Sequence, residues 1–333
     1  MTGISHPIAA LKGTLRYVRA YRDRVFVVKL GGEILADPAA LDGVAAQVAL
    51  LSSLGIRVVV VHGGGPQASE LSRRLGHEPR MVAGRRVTDD AALDVATYVY
   101  AGRLNVDVLS ALRRQGVHAV GLSGIDAELV TARRRPPRSV RLDDGSEQVV
   151  DFGHVGDIER VDPRVVVHLL EALFVPVVAS LAGDADGAVY NVNADTLAEE
   201  LAVALGAKKL VFLTAARGLL RDVADPSSLV TFSDSEGLAT LLTSGSVSGG
   251  MRPKVEACLR AASRGVERTH IVDGRAPDAL LLEVFTGEGV GTMIVNRKEG
   301  APDPGESAAA HAGATGARRA ESAMTRGPHA REH

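Results

Sequence analysis

One cysteine, Cys258, occurs in 333 residues, and aromatic side chains make up only 3% of the chain. The lone thiol excludes an internal disulfide framework, and so few aromatics leave little on which nucleic-acid bases could stack. An excess of one charge sign is missing too. The formal net charge is −2, nearly neutral for this length, so nucleic acid is not an expected partner. No stretch approaches the ~18 consecutive apolar residues of a spanning helix, which argues against a membrane. The amino-terminal stretch has no basic start followed by an apolar run and a cleavage site. With the single thiol, this leads us to expect a cytoplasmic protein. The histidines show no H-E-x-x-H or cysteine-ligand spacing, so no protein-bound metal site is expected. There is no G-x-x-x-x-G-K-[ST] element and no G-x-G-x-x-G opening a helix after a strand. Gly121–Gly124 does not complete G-x-S-x-G, so serine hydrolase chemistry drops out.

What is present is ample apolar content, 46% of the chain, enough for one large core or two lobes. Val25–Leu30 and Ile56–Val61 read as buried strands, each followed closely by glycines. Between them Leu41, Val44, Val48 and Leu51 recur at helical spacing, with Asp37 as N-cap and Pro38 at the first helical position. The alternation continues with a helix from about Asp89 to Gln115, a strand near His118, a helix Pro163–Leu173 and a strand Val175–Ser180. A helix after Asn193 and a strand Leu210–Leu213 follow. Such alternation predicts an α/β fold, an open αβα sandwich with a mainly parallel central sheet. Arg133–Asp151 is rich in Arg, Pro, Asp and Gly and reads as an exposed β-hairpin. Four segments are expected: a helix within 1–24, lobes over 25–180 and 181–296, and a disordered tail over 297–333. In the first, Ile8, Leu11, Leu15, Val18 and Tyr21 share a helical face that must pack on its own domain or on another subunit.

Several constellations bear chemistry. Gly31-Gly32 directly follows a strand, where glycine lets backbone N–H groups approach a polyanion or simply makes a turn. His62-Gly-Gly-Gly65 is followed by Pro66, which can open a helix whose amino terminus faces the loop. Lys29 ends an apolar strand, where a buried ammonium needs a charged partner or ligand, and ligands of open α/β sheets bind at that end. Lys254 stands where the loop Ser248-Gly-Gly-Met-Arg-Pro enters a helix carrying Val255, Cys258, Leu259 and Ala262. Cys258 reads as a core thiol. Asn191, Asn193 and Asp195 sit at a strand-to-helix turn, and Asn193 or Asp195 can cap the helix as well as act in a site. Arg86 could grip a carboxylate bidentately, although it and the adjacent Arg85 could equally be exposed loop charges.

Taken in order, Lys29-Leu-Gly-Gly32, His62-Gly-Gly-Gly-Pro66, Gly84-Arg-Arg-Val-Thr88, Gly153-His-Val-Gly-Asp157, Asn191-Val-Asn-Ala-Asp195 and Gly249-Gly-Met-Arg-Pro-Lys254 resemble the amino acid kinase family. The resemblance is greatest to the members that phosphorylate N-acetyl-L-glutamate, and it spans about residues 7 to 295. It implies a transferase that moves phosphate from ATP to a side-chain carboxylate in arginine biosynthesis. In that reading Lys29, Asp195 and Lys254 are catalytic: Lys29 acts on the transferring group, Lys254 on the leaving phosphates, and Asp195 orients both. Gly64, Gly65, Arg86, Asn191 and Asn193 hold acetylglutamate, with Arg86 on its α-carboxylate. Gly31, Gly32, Thr214, Gly249, Gly250, Met251 and Lys254 attend to ATP, and Mg²⁺ arrives with the nucleotide, bound mainly by phosphate and water.

The stretch His270–Arg275 with Leu282–Ile294 is similar to the signature of the arginine-inhibited members, which also carry an amino-terminal helix that interlaces dimers into a hexamer. The implication is allosteric inhibition by L-arginine, held by Tyr21, His270, Glu283 and Gly289 with the Gly287–Gly291 loop, in a hexamer built as a trimer of dimers. Thr214 is followed by Ala215-Ala216, where the family usually has Asp-Val. That departure motivates a competing reading, a non-catalytic arginine-sensing subunit. A kinase for carrier-linked aminoadipate or glutamate is a further alternative. The chain start and Leu51–Arg57 also resemble the kinase-like domain of acetylglutamate synthases.

Overall fold

The computed structural model describes residues 15–296 apart from 142–144, 223, 226, 244–246, 248 and 287–288. Ile8, Leu11, Gly287 and the expected disordered tail lie outside the described residues. The two β-branched runs form parallel neighbours, Val25–Leu30 (β1) and Arg57–His62 (β2), paired from Val25–Arg57 through Leu30–His62. Six further strands complete the main sheet: Ala119–Ser123 (β3), Val175–Ala179 (β4), Lys209–Thr214 (β5), Phe232–Asp234 (β6), Arg268–Asp273 (β7) and Thr292–Val295 (β8). Their order is β6-β8-β7-β5-β1-β2-β4-β3. Every pairing is parallel except β7 with β8. The sheet joins strands from both expected lobes, because β1 lies between β2 and β5.

Helices cover both faces. Pro38–Ser53 starts where expected, with the Asp37 carboxylate accepting from the Ala39 and Ala40 amides at 2.9 and 3.2 Å. It packs with Asn105–Arg114 over Phe26, Val28 and Leu30. The opposite face, with Val27, Val59 and Val61, is covered by Ala194–Ala204 and Met251–Ser263. This period of two decides where β1 aims its side chains. The residues on the even numbers meet one helical layer and those on the odd numbers, including Lys29, meet the other. Cys258 is wholly buried in the second layer, and burial pushes its thiol up to about 12.

Several elements differ from expectation. The long helix from Asp89 contains a wide-turn π segment, Tyr98–Leu104, between Asp90–Thr97 and Asn105–Arg114. The expected hairpin is narrower than Arg133–Asp151. Arg133 and Arg134 belong to the strand Val130–Arg134 of a separate four-stranded sheet, and Pro136-Pro137 then interrupt pairing because proline lacks the N–H. The ribbon itself pairs Arg138–Arg141 with Glu147–Val150. A second ribbon, Met81–Val82 with Arg85–Arg86, packs beside it through Val82, Val87 and Val140 against Val150, Phe152 and Val155. At the amino-terminal end, residues 15–21 are helical. Tyr17 and Tyr21 are buried against Phe285 and Phe26, so this stretch packs on the chain's own core.

Candidate active site

β1 delivers Lys29 at its carboxyl end, on the sheet face covered by the helix Ala194–Ala204. That helix is started by Asn193, whose side-chain oxygen accepts from the Asp195 and Thr196 amides at 2.8 and 3.0 Å. The cap sets Asp195 in the first turn, facing inward. There its carboxylate meets Lys29 Nζ at 2.7 Å through one oxygen and Lys254 Nζ at 3.2 Å through the other. Lys254 comes from the first turn of Met251–Ser263, and its ammonium also donates to the Gly250 carbonyl at 3.2 Å. Burial would raise the Asp195 carboxyl, but the two ammonium groups outweigh it and hold the group below the usual carboxylate range.

The two helices that carry Asp195 and Lys254 are locked together further along. Glu199, wholly buried, accepts a forked pair from Arg260, with Nε at 2.9 Å from both oxygens and Nη2 at 2.6 Å from one. Nothing in the sequence pattern marked this pair, whose members stand 61 residues apart.

The lysine pair lines a cleft of about 690 Å³. Gly63, Gly64 and Gly65, which follow β2, line it too. Gly64 has φ of 157°, and a Cβ there would stand 2.2 Å from a Leu104 methyl, so the approach of the π segment requires glycine. His62, just before the loop, is wholly buried. Its Nδ1 donates to the Gly63 carbonyl at 2.9 Å and its Nε2 accepts from Asn105 Nδ2 at 3.2 Å. Burial lowers His62 to about 4, so it is neutral and both nitrogens are committed.

Arg86 also lines the cleft. Its guanidinium donates to the Gly65 carbonyl at 2.8 Å and to the Ser69 hydroxyl, which ties the ribbon to the helix Gly65–Arg74. Asn191 lies on the wall and donates to Thr88 Oγ1 at 3.2 Å. Thus Lys29, Gly31, Gly32, Gly64, Gly65, Arg86, Asn191, Asn193, Asp195 and Lys254 share one cleft. Thr214, Gly249, Gly250 and Met251 do not line it. Thr214 ends β5, and its hydroxyl accepts from the Ala216 amide at 2.8 Å. One detail differs from the glycine reading: the Gly31 amide is already given to the Leu213 carbonyl at 2.8 Å, because the chain leaves β1 still paired to β5. Ser69, Tyr100, Arg135, Arg138 and Phe152 line the cleft without having been singled out in the sequence.

The sequence model of the amino acid kinase family matches residues 24–273. The chain belongs to the amino acid kinase family. The acetylglutamate kinase of Myxococcus xanthus is 52% identical to it over 299 residues, 90% of this chain and 96% of that protein. The acetylglutamate kinase of Thermosynechococcus vestitus is 43% identical over 295 residues, 89% of this chain and 96% of that one. Among solved structures, the N-acetylglutamate synthase of Neisseria gonorrhoeae, complexed with coenzyme A and N-acetyl-glutamate, superposes with a TM-score of 0.73 at 29% identity. That match covers 86% of this chain, which spans 63% of the synthase. Giardia lamblia carbamate kinase, at TM-score 0.57 and 16% identity, shares the fold.

This amino acid kinase also holds a second buried polar assembly, at the other end of the β1 and β5 strands. Tyr21, His270, Glu283 and Gly289 come together there around Lys209. Lys209 Nζ stands 5.2 Å from the centre of the Tyr21 ring and 3.3 Å from His270 Nε2. His270 Nδ1 donates to Glu283 at 2.7 Å. The other Glu283 oxygen accepts from the Val290 and Gly291 amides at 2.8 and 3.1 Å. Burial, helped by Lys209, lowers His270 to about 4. Burial works against the Glu283 charge, but His270 and the two amides prevail and keep the carboxyl low.

Proposed function

We propose that this chain transfers the terminal phosphoryl group of ATP to the side-chain carboxylate of N-acetyl-L-glutamate. The observation that carries this reading is the pair of lysines sharing one buried aspartate in a cleft that Arg86 also lines. Relatives named acetylglutamate kinase, at 52% and 43% identity, support it.

Charge explains the chemistry. A glutamate side chain, with an ordinary pKa of about 4.3, is ionised at neutral pH and is already a nucleophile. No base is needed, and His62, just before the glycine loop, has both nitrogens committed. A carboxylate oxygen attacks the terminal phosphorus, the bond from that phosphorus to the bridging oxygen breaks, and ADP leaves with its electrons. The work left to the protein is to hold two anions in line and offset the charge on the moving group. Two ammonium groups against one carboxylate leave the Lys29–Asp195–Lys254 centre with an excess of positive charge for that purpose. Arg86 is bound to the Gly65 carbonyl, so an acceptor gripped by Arg86 through its α-carboxylate would lie beside the glycine loop that lines the same cleft as this centre. The metal that accompanies ATP would be bound by phosphate and water, because both oxygens of Asp195 face lysines.

A second reading concerns control. The Tyr21, His270, Glu283 and Gly289 cluster supports L-arginine as an inhibitor, Glu283 being the carboxylate that a guanidinium would take over. Leu15, exposed on the amino-terminal helical stretch, supports contact with another subunit, as a hexamer would require. Release of ADP dependent on acetylglutamate, compared with glutamate and aminoadipate, tests the first reading. Titration of that activity with arginine tests the second, with loss of response expected in Glu283→Ala.

A further inference from the structure

The ribbon Arg138–Arg141 with Glu147–Val150 brings an arginine to the cleft that neither the motifs nor the chemistry above uses. Arg138 differs from its neighbours in how it is partnered. Arg134 is paired with Asp151 at 2.9 Å and Arg135 with Asp157, at 2.6 Å. Arg138 has no carboxylate partner among the described residues. Its Nε is buried with no acceptor, and its guanidinium carbon sits 5.7 Å from the centre of the Phe152 ring. Phe152 is itself wholly buried, fixed by Val150 and Val155.

That arrangement has a physical meaning. An aromatic face orients the planar guanidinium and leaves its edge for an anion. Arg138 Nε is closed to solvent and so to a ligand, which leaves the Nη groups, for which no acceptor stands among the described residues, as the donors a carboxylate would meet. Both Arg138 and Phe152 line the same cleft as Arg86. Arg86 is likewise bound only to neutral oxygens, the Gly65 carbonyl and the Ser69 hydroxyl. Arg85, which also lines the cleft, is exposed, and no aromatic ring faces it among the described residues.

We propose that Arg138 is a second substrate-binding arginine, which with Arg86 clamps the α-carboxylate of the acceptor and selects acceptors that carry one. The proposal rests on the acetylglutamate reading and adds a residue and a selectivity to it. The clamp is built on two ribbons that pack together through Val82, Val87 and Val140, whereas Lys29 and Lys254 come from β1 and the helix Met251–Ser263, so it governs which acceptor is held and leaves the transfer step unchanged.

The test compares acetylglutamate with 4-acetamidobutyrate, the same molecule without the α-carboxylate, in the wild-type chain and in Arg138→Met. In the variant, kcat/KM for acetylglutamate should fall about 10- to 100-fold, the worth of a charged hydrogen bond. With 4-acetamidobutyrate it should change by less than about threefold. Arg138→Lys, which keeps the charge but loses the planar fork, should fall between. A gain in Tm on adding acetylglutamate without ATP reads the same contact independently of turnover and should shrink in both variants. Equal losses on the two acceptors, or no loss on acetylglutamate, would overturn the clamp alone. Absence of acetylglutamate-dependent ADP release by the wild-type chain would overturn the underlying reading and the clamp with it.

Discussion

Lys29 and Lys209 stand on adjacent strands of one sheet, at opposite ends of it. Lys29 lies at the carboxyl end of β1, and Lys209 is the first residue of β5, opposite Phe26. Both are buried, yet their surroundings are opposed. Lys29 shares its acid with a second lysine and opens on a cleft. Lys209 faces Tyr21 and His270, and the chain of contacts continues to Glu283 and two backbone amides. The first assembly has one cation more than its acid can match and is built to meet an anion. The second is matched within itself and joins the amino-terminal helical stretch, β5, β7 and the helix Ala279–Phe285. On the proposed function, the surplus of charge at the cleft serves the transfer step and the closed polar chain fixes position.

Substitutions should separate the two. The largest effect is expected for Lys29→Ala, where kcat should fall about 10²–10³-fold, as for the loss of one contact to transition-state charge. Steady-state kinetics with saturating ATP and acetylglutamate read it, and an unchanged kcat would remove Lys29 from the reaction. Glu283→Ala should act the other way. It leaves His270 and two amides without their acceptor, so stability should drop by about 3 kcal/mol while kcat stays within about threefold. Urea unfolding followed beside the kinetics reads both, and a collapse of kcat in folded protein would erase the distinction. Arg86→Lys is expected to be smaller, raising KM for acetylglutamate about tenfold with little change in kcat, because the single ammonium loses the bidentate grip. A fall in kcat at constant KM would place Arg86 with the lysines instead.

The smallest effect concerns pH. Burial holds His62 and His270 at about 4, against an ordinary 6.5 in the unfolded chain. Between these values the unfolded chain binds the more protons, so this stability is complete above about 6.5 and is lost as pH falls toward about 4. His270→Gln removes one of the two contributions. The decline of Tm on acidification should become shallower, and an unaltered decline would show that His270 is not the neutral link between Lys209 and Glu283.

Much of the first assembly was legible in the chain. A lysine at the end of an apolar strand, glycines after it and Asn193 two residues before Asp195 each carry local signals, and the period of two in β1 directs Lys29 toward the helix that Asn193 caps. The central sheet was legible for the same reason, since its strands are continuous β-branched runs. Other features had no local signature. Arg138 sits in a stretch whose Arg, Pro, Asp and Gly composition reads as an exposed ribbon, and its platform, Phe152, is supplied from beyond the ribbon. The Glu199–Arg260 fork joins helices far apart in sequence. The π segment Tyr98–Leu104 follows from packing on Gly64, which the helical periodicity of Asp89–Gln115 did not reveal. The Gly31 amide is spent on the Leu213 carbonyl because the chain leaves β1 still beside β5, and which strand neighbours β1 is set by the fold and not by the local pattern.

The most direct measurement is to trap the product. Wild-type chain and Lys29→Ala are incubated with ATP, Mg²⁺ and acetylglutamate in hydroxylamine, which converts an acyl phosphate to a hydroxamate. The account predicts hydroxamate in proportion to ADP for the wild type, and at least about 100-fold less of both for the variant. ADP without hydroxamate, or equal hydroxamate from the two proteins, would contradict it.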